Sequence, residues 1–259
     1  MLRFCANISM MFRELPLLER FAAAREGGFA AVEIQVPYEV PAADLARAAR
    51  TAGMPVVLIN APLGPERGSP GMACRPEHRA VFREALERAA QYAHALGTPR
   101  VNVLAGRAAP EEAAQCLAQL REHLCLAAER LAPAGAEPLL EPINPFDAPG
   151  YCVASFALAD EVLASCGGKV GLQFDIYHAA RLALDPVELF ERMQARVAHV
   201  QFADCPGRHE PGTGQVAFER IFRTIETSAY DGWTGAEYHP TGSTAQSLGW
   251  LRDSPHRQR

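Results

Sequence analysis

The stretch EPLLEPINPFDAPGYCVASFALADEVLAS, residues 137–165, contains one complete strand-and-helix unit. Its first part, EPLLEPI at 137–143, is a short apolar run that includes a carboxylate, Glu141, between leucine and proline. Its last part, SFALADEVLAS at 155–165, opens on serine and carries apolar residues at helical spacing. This order predicts a β-strand, a loop and an α-helix.

The same unit recurs along the whole chain. Helical patterns such as PAADLARAARTAG and PEHRAVFREALERAAQYAHALG alternate with short apolar runs. Eight such runs predict strands at 3–9, 31–36, 55–61, 100–106, 137–143, 169–177, 197–204 and 232–238. Eight βα units in 259 residues predict an α/β fold, a single (β/α)8 TIM barrel that occupies residues 1–259 as one domain. An open doubly wound sheet is disfavoured because the chain lacks both a Gly-x-Gly-x-x-Gly turn after the first strand and a Walker-type loop.

Charge and cysteine usage limit the partners. The formal net charge is −5 and no basic stripe occurs, which argues against a nucleic-acid or anionic-membrane partner and favours a small molecule. The seven cysteines are scattered and form no Cys-x-x-Cys pair, so we expect neither a disulfide framework nor a zinc knuckle. The N-terminal MLRFCANISMMF is too short and interrupted to span a membrane. The sequence therefore predicts a cytoplasmic protein and leaves a homo-oligomer open.

Lysine chemistry is disfavoured by the basic residues themselves. Among the 25 basic residues, Lys169 is the one lysine, and it precedes a predicted strand rather than following it. Schiff-base aldolases and pyridoxal enzymes need a lysine at the reacting centre. A covalent mechanism based on lysine is therefore not expected.

Oxygen-bearing side chains occur near the ends of the last four predicted strands, where TIM barrels carry their chemistry. A strand that reaches the surface often ends on a charge, but four successive units share the feature. Crowded carboxylates need a counter-ion, and oxygen ligands favour Mg²⁺ or Mn²⁺ over zinc or copper. We therefore predict a divalent metal site at these residues, which are Glu141, Asp175, Gln201 and Glu237.

Other polar groups could complete the site. Asn7 and Asn60 are candidate substrate contacts at strand ends, although they, like Glu33 and Asn102, could equally fill layers of the barrel. His178 lies three residues after Asp175, and Arg208 lies in the glycine-rich turn PGRHEPGTG, where it could bind a substrate carboxylate. The Gly- and Pro-rich segment 61–78 is long for a turn and is interpreted as an active-site loop.

The sequence resembles the hydroxypyruvate isomerase family of the xylose-isomerase-like barrels, which includes 2-oxo-tetronate isomerases. The resemblance rests on RFCANISMMF, LINAP, LLEPINPFDAPGY, LQFDIYH, HVQFAD, GRHEPGTG and GWTGAEYHP, and extends from residue 2 to about residue 251. It implies that Glu141, Asp175, Gln201 and Glu237 hold the metal, and that Glu141 and Glu237 also transfer protons. Glutamine at 201 favours the isomerases over ketose 3-epimerases, which usually have histidine there.

The resemblance implies a reaction as well. We expect hydroxypyruvate and tartronate semialdehyde to be interconverted by metal-assisted proton transfer through an enediolate, in glyoxylate or other carbohydrate metabolism. A 2-oxo-tetronate is the alternative substrate, because SMMFRELPLLERFAAAREGGF and RHEP resemble that subgroup more closely. A ketose 3-epimerase, a nuclease of the same superfamily and a metabolite-binding barrel without catalysis are weaker alternatives.

Overall fold

Eight parallel strands form a closed barrel in the order of the sequence. The structure is a computed structural model that describes residues 1–66 and 68–256. The strands are β1 (Arg3–Asn7), β2 (Ala31–Ile34), β3 (Val56–Asn60), β4 (Arg100–Asn102), β5 (Glu137–Leu140), β6 (Gly171–Asp175), β7 (Val197–Phe202) and β8 (Trp233–Ala236). The predicted (β/α)8 fold is confirmed. Whether residues 1–259 act as one domain stays a prediction, and its last three residues lie outside the described part.

Helices follow the strands around the barrel. Within the described residues they are α1 (Arg20–Glu26), α2 (Ala42–Ala52), α3 (Arg79–Leu96), α4 (Ala113–Leu131), α5 (Phe156–Ser165), α6 (Ile176–Arg181), α7 (Pro186–Met193), α8 (Phe218–Thr227) and α9 (Gly249–Asp253). Seven of them, α1–α5, α7 and α8, coincide with segments of the sequence that have a helical pattern of apolar residues. The two that the periodicity missed, α6 and α9, have six and five residues, too few to show a helical repeat.

Each observed strand lies inside its predicted range and ends before the predicted end. The clearest case is β6, for which the apolar run predicted a strand as far as residue 177. The Asp175 side chain instead accepts a hydrogen bond of 2.8 Å from the backbone N–H of Tyr177 and caps α6. The strand prediction for residues 176 and 177 was therefore wrong, because a capping aspartate starts a helix there.

The chain comprises two compact units, and each is described by itself. The first contains Met1–Gln35, Ala43–Val57 and the chain from Phe174 onward. Its core includes an aromatic cluster in which Phe202 of β7 contacts Phe4 of β1, Phe222 of α8 and Trp250 of α9, with ring centroids 5.1–6.0 Å apart. Edge-to-face contacts at this spacing add to the stabilisation from burial. The cluster therefore joins elements from both ends of the chain.

The second unit contains Val36–Ala42 and Leu58–Gln173. Its long helices pack through aromatic side chains, since Phe82 of α3 stacks on His123 of α4 at 4.2 Å. Burial lowers the pKa of His123, and its Nδ1 lies 2.8 Å from the backbone carbonyl of Ala73. None of the described helices has the length and apolar composition that a membrane span requires.

Candidate active site

Three of the four predicted ligands lie in the first unit, at the carboxyl ends of consecutive strands. Asp175 is the last residue of β6, Gln201 is the next-to-last residue of β7, and Glu237 follows β8 directly. All three side chains are buried, with exposed fractions of 1%, 1% and 4%. Two carboxylates at such burial need nearby donors or cations to remain charged.

Arg208 supplies a positive charge to both carboxylates. Its guanidinium nitrogen Nη2 lies 2.5 Å from Oε2 of Glu237 and 3.5 Å from Oδ2 of Asp175. The same guanidinium stacks over the ring of Tyr177 at 4.8 Å, an arrangement that suits the planar group. His178 is 1% exposed, and its Nε2 also lies 3.5 Å from Oδ2 of Asp175. The structure thus brings Arg208 and His178 together with two predicted metal ligands.

The loop that carries Arg208 is organised by the buried carboxylate of Asp204. This carboxylate accepts backbone N–H bonds of 2.8–3.0 Å from four residues of the loop, Cys205, Gly212, Gly214 and Val216. Arg208 itself has φ of 57°, a left-handed conformation that is uncommon for residues other than glycine. Its backbone is fixed from both sides, because its N–H donates to Asp204 and its carbonyl accepts from His239. The guanidinium is therefore presented by a rigid loop.

Amide groups surround the other oxygen of Glu237. Its Oε1 accepts hydrogen bonds from Nδ2 of Asn7 at 3.0 Å and from Nε2 of Gln35 at 2.8 Å. Asn7 is 1% exposed, and its Oδ1 accepts from the backbone N–H of Ser9, which fixes the orientation of the amide. Asn7 was predicted as a substrate contact, and the structure places it against Glu237.

Glu33, in β2, lies beneath these groups and is fully buried. The parallel register sets Asn7 opposite Glu33, and Asn7 donates to its Oε1 at 3.0 Å. Nε2 of Gln201 donates to the same oxygen at 2.6 Å, and Nε2 of His199 lies 2.7 Å from Oε2. The carboxylate of Glu33 therefore anchors side chains from β1 and β7.

The second unit holds the fourth predicted ligand, Glu141, directly after β5. Glu141 is 5% exposed, and its Oε2 accepts a hydrogen bond of 2.7 Å from Nδ2 of Asn102, in β4. The hydroxyl of Tyr151 accepts from the backbone N–H of Ala105 at 2.9 Å and lies 3.4 Å from the carbonyl of Glu141. Burial raises the pKa of Tyr151 well above its usual range, and the charge of Glu141 adds to the shift. The carboxylate of Glu141 is thus held by a buried amide, and its backbone carbonyl lies beside a neutral phenol.

Asn60 and the segment 61–78 belong to the same unit. Asn60 ends β3, is 9% exposed, and its backbone carbonyl accepts 2.6 Å from the hydroxyl of Tyr38. The segment is irregular until a short 3-10 helix at Pro76–His78, and position 67 within it lies outside the described residues. Backbone N–H groups of Ala73 and Cys74 donate to Leu104 and Ala105, which fixes this part of the loop beside the residues that follow β4. Its interpretation as an active-site loop stays a prediction.

Comparison with known proteins places this geometry in a family. Residues 21–254 match the family described as the xylose isomerase-like TIM barrel. The chain belongs to this family. It is 40% identical to the 2-oxo-tetronate isomerase of Cupriavidus necator, over 96% of this chain and 97% of that protein. It is 36% identical to the hydroxypyruvate isomerase of Escherichia coli, over 99% of this chain and 100% of that protein.

One solved structure has nearly the same backbone as this chain. The crystal structure described as AP endonuclease, family 2, from Brucella melitensis superposes with a TM-score of 0.93 at 36% identity, covering 98% of this chain and 99% of that one. The family resemblance drawn from the sequence is therefore confirmed over the full length of the chain.

Several residues that contact the predicted ligands or Arg208 were not among the predicted site residues. Gln35, Tyr177 and Asp204 were not singled out, although Gln35 contacts Glu237, Tyr177 supports Arg208, and Asp204 organises the Arg208 loop. Asp204 carried a usable signal, because a strand-end aspartate before a glycine-rich turn is well placed to accept loop N–H groups. The sequence gives no comparable signal for Gln35 or Tyr177, since a single amide or phenol after a strand has many ordinary roles.

Proposed function

We propose that this protein is an aldose-ketose type isomerase that interconverts hydroxypyruvate and tartronate semialdehyde through an enediolate. Full-length similarity to two isomerases supports the reaction class. The observation that carries the proposal is the buried carboxylate pair of Asp175 and Glu237 beneath Arg208. This arrangement offers a proton-transfer group next to a cation suited to a substrate carboxylate. The proposal includes a cytoplasmic role in glyoxylate or other carbohydrate metabolism.

A divalent ion, Mg²⁺ or Mn²⁺, belongs to this proposal. The residues that would hold it are Glu141, Asp175, Gln201 and Glu237, each at the carboxyl end of one of four consecutive strands of the closed barrel. The donor set fits a hard ion because every ligand atom is an oxygen: Gln201 donates its amide nitrogen to Glu33, so its oxygen is the atom it can offer. When bound, the ion would polarise the substrate carbonyl and stabilise negative charge on its oxygen.

Glu141 and Glu237 are proposed to move the proton. One glutamate removes a proton from the substrate carbon that carries the hydroxyl, and a proton is then delivered to the neighbouring carbon, which had carried the carbonyl. The hydroxyl proton passes to the former carbonyl oxygen, so the carbonyl and the hydroxyl exchange carbons. Both glutamates are buried, so little solvent competes for the proton that is moved. Hydrogen bonds from Asn7 and Asn102 hold Glu237 and Glu141, respectively, in fixed directions. Either direction of transfer is consistent with these contacts.

Arg208 and His178 are proposed to position the substrate. The guanidinium can form two parallel hydrogen bonds with a carboxylate, and the ring of Tyr177 fixes its plane. His178 is placed to orient a substrate hydroxyl, because its Nε2 lies beside the same oxygen of Asp175, Oδ2, as the guanidinium of Arg208. Asn7 and Asn60 are further candidates for contact with substrate oxygens. Orientation of this kind lowers the entropic part of the barrier without making or breaking bonds.

A 2-oxo-tetronate is the second candidate substrate. The 40% identity to the 2-oxo-tetronate isomerase of C. necator favours it, and the two acids share the carboxylate and the adjacent carbonyl that the site would use. A free ketose lacks the carboxylate that would pair with Arg208. A nuclease is disfavoured by the net charge of −5.

The proposal is tested by NMR in D₂O with hydroxypyruvate and with 2-oxo-tetronates as substrates. EDTA-treated protein is compared with protein loaded with Mg²⁺ or Mn²⁺. We expect metal-dependent turnover with deuterium incorporated from solvent at the reacting carbon. Glu141→Gln should lower kcat by about 10²–10⁴-fold, since it removes a general acid-base group.

The matched control is Glu87→Gln, which neutralises an exposed glutamate of α3 paired with Arg130 and should leave turnover unchanged. The relative kcat/KM values rank the two acids as substrates. Absence of both turnover and deuterium exchange with every acid and metal would exclude the isomerase proposal, and free ketoses would then be assayed.

A further inference from the structure

A buried carboxylate lies directly beneath the proposed metal ligands. Glu33 is fully buried, and its oxygens receive hydrogen bonds from Asn7 and Gln201 at Oε1 and from His199 at Oε2, at 2.6–3.0 Å. The thiol of Cys5 lies 3.8 Å from Oε2. Gly235 of β8 has no side chain, and this leaves space for the carboxylate. A Cβ at position 235 would collide with it. Side chains of several strands thus pack around the carboxylate of Glu33.

The hydrogen-bond geometry of His199 indicates which of its ring nitrogens faces Glu33 as a donor. Nδ1 of His199 is buried and has no hydrogen-bond partner among the described residues. A proton on Nδ1 would be a buried donor without an acceptor, which is costly. The neutral ring with its proton on Nε2 satisfies the contact with Glu33 and avoids that cost. His199 therefore acts as a hydrogen-bond donor that fixes Oε2 of Glu33.

Glu33 determines which way two site amides point. The nitrogen of Gln201 is held 2.6 Å from Glu33, so its oxygen is the atom presented to an ion. The nitrogen of Asn7 donates both to Glu33 and to Glu237. We propose that Glu33 is a positioning residue, held by His199, that orients Gln201 and Glu237 for divalent metal binding. The inference rests on the proposed function, because it assumes that the site holds Mg²⁺ or Mn²⁺.

A second metal ion at Glu33 itself is the competing interpretation. Ligand atoms of Cys5, Glu33 and His199 lie within 4.8 Å of one another. However, amide N–H groups of Asn7 and Gln201 converge on the same carboxylate and would repel a cation. The 2.7 Å between His199 Nε2 and Glu33 Oε2 is also a hydrogen-bond distance, shorter than the roughly 3.3 Å between two ligands of tetrahedral zinc. The contacts favour a positioning role.

The first experiment measures Mn²⁺ affinity by calorimetry for the native protein, E33Q and C5A. E33Q keeps the size of the side chain but replaces one of the two acceptor oxygens, which bind the amides and His199, by an amide nitrogen. We expect its Kd for Mn²⁺ to rise by about 10–100-fold, as is typical when a partner of a metal ligand is changed. C5A removes only the weak thiol contact and should change Kd by less than about twofold.

The second experiment exchanges the donor and the acceptor of the hydrogen bond between positions 201 and 33. In E33Q/Q201E, the amide nitrogen at position 33 donates to a carboxylate at position 201, so the contact between these two positions is recovered with donor and acceptor exchanged, whereas the bond from Asn7 to this atom is not. We expect Mn²⁺ affinity to return to at least within about tenfold of native. Q201E alone sets two carboxylates against each other and should not bind as well as the double variant. Loss of affinity through general damage to the fold would not be rescued in this way.

A third measurement needs only the native protein. Side-chain amide protons of Gln201, assigned by NMR, should exchange slowly with solvent both without metal and with Mg²⁺, because Glu33 holds them in the barrel. Unchanged Mn²⁺ affinity in E33Q, or fast exchange of these protons, would overturn the positioning role alone. A native protein that binds neither Mn²⁺ nor Mg²⁺ would overturn the metal part of the proposed function as well.

Discussion

At the scale of single residues, Arg208 has two electrostatic roles with opposite consequences. It is proposed to attract the substrate carboxylate, but it also contacts Asp175 and Glu237, where a divalent ion would bind. Two cations beside the same carboxylates repel each other. Arg208 should therefore favour substrate binding without favouring metal binding.

This argument predicts that Arg208→Gln raises KM for hydroxypyruvate by about 10–100-fold, because one charge-assisted contact contributes about 1.5–3 kcal/mol. The Kd for Mn²⁺ should stay the same or fall. Steady-state kinetics and calorimetry measure the two effects separately. Arg223→Gln, at an exposed arginine paired with Glu219 on α8, is the control and should change neither. A parallel loss of metal affinity would instead make Arg208 a structural part of the metal site.

At the scale of elements, α7 shows how local sequence fixes a helix that packs beside the barrel strands. Asp185 is its N-cap and accepts 2.8 Å from the backbone N–H of Val187, while Pro186 opens the first turn. The other oxygen of Asp185 pairs with Arg220 of α8 at 2.8 Å. The bond from Val187, with a smaller contribution from Arg220, lowers the pKa of Asp185.

We predict that Asp185→Ala destabilises the protein by about 0.5–2 kcal/mol near neutral pH, the usual effect of losing an N-cap. Because the folded pKa is lowered, the ionised Asp185 stabilises the fold above its ordinary pKa, and this contribution disappears as pH falls through the folded value. The difference in urea unfolding between native protein and variant should therefore shrink in acid, where protonated Asp185 keeps a capping oxygen but has lost its charge. Asp185→Asn keeps a capping oxygen and should retain most of the stability at neutral pH. A constant difference down to about pH 2 would contradict the role of the charge.

At the scale of the whole molecule, chain ends far apart in sequence share one core. Phe202, fully buried in β7, contacts rings from β1, α8 and α9 within the first unit. We predict that Phe202→Ala lowers the free energy of unfolding by about 3–5 kcal/mol, because it leaves a cavity among these rings. Phe146→Ala removes a ring that is 64% exposed and should cost less than about 1 kcal/mol. Urea denaturation of both variants makes the comparison. Equal losses would show that the cluster does not anchor the two ends.

The sequence by itself determined the eight βα units and the strand-end positions of Glu141, Asp175, Gln201 and Glu237, because strand and helix periods are local properties. It could not determine the partners of Glu33, which are contacts between residues as far as 168 positions apart. Nor could it show that Arg208 adopts φ of 57° and faces Asp175 and Glu237, or that α6 and α9 form. Those features depend on how distant strands and loops pack, since burial and hydrogen-bond partners exist only once the barrel has closed.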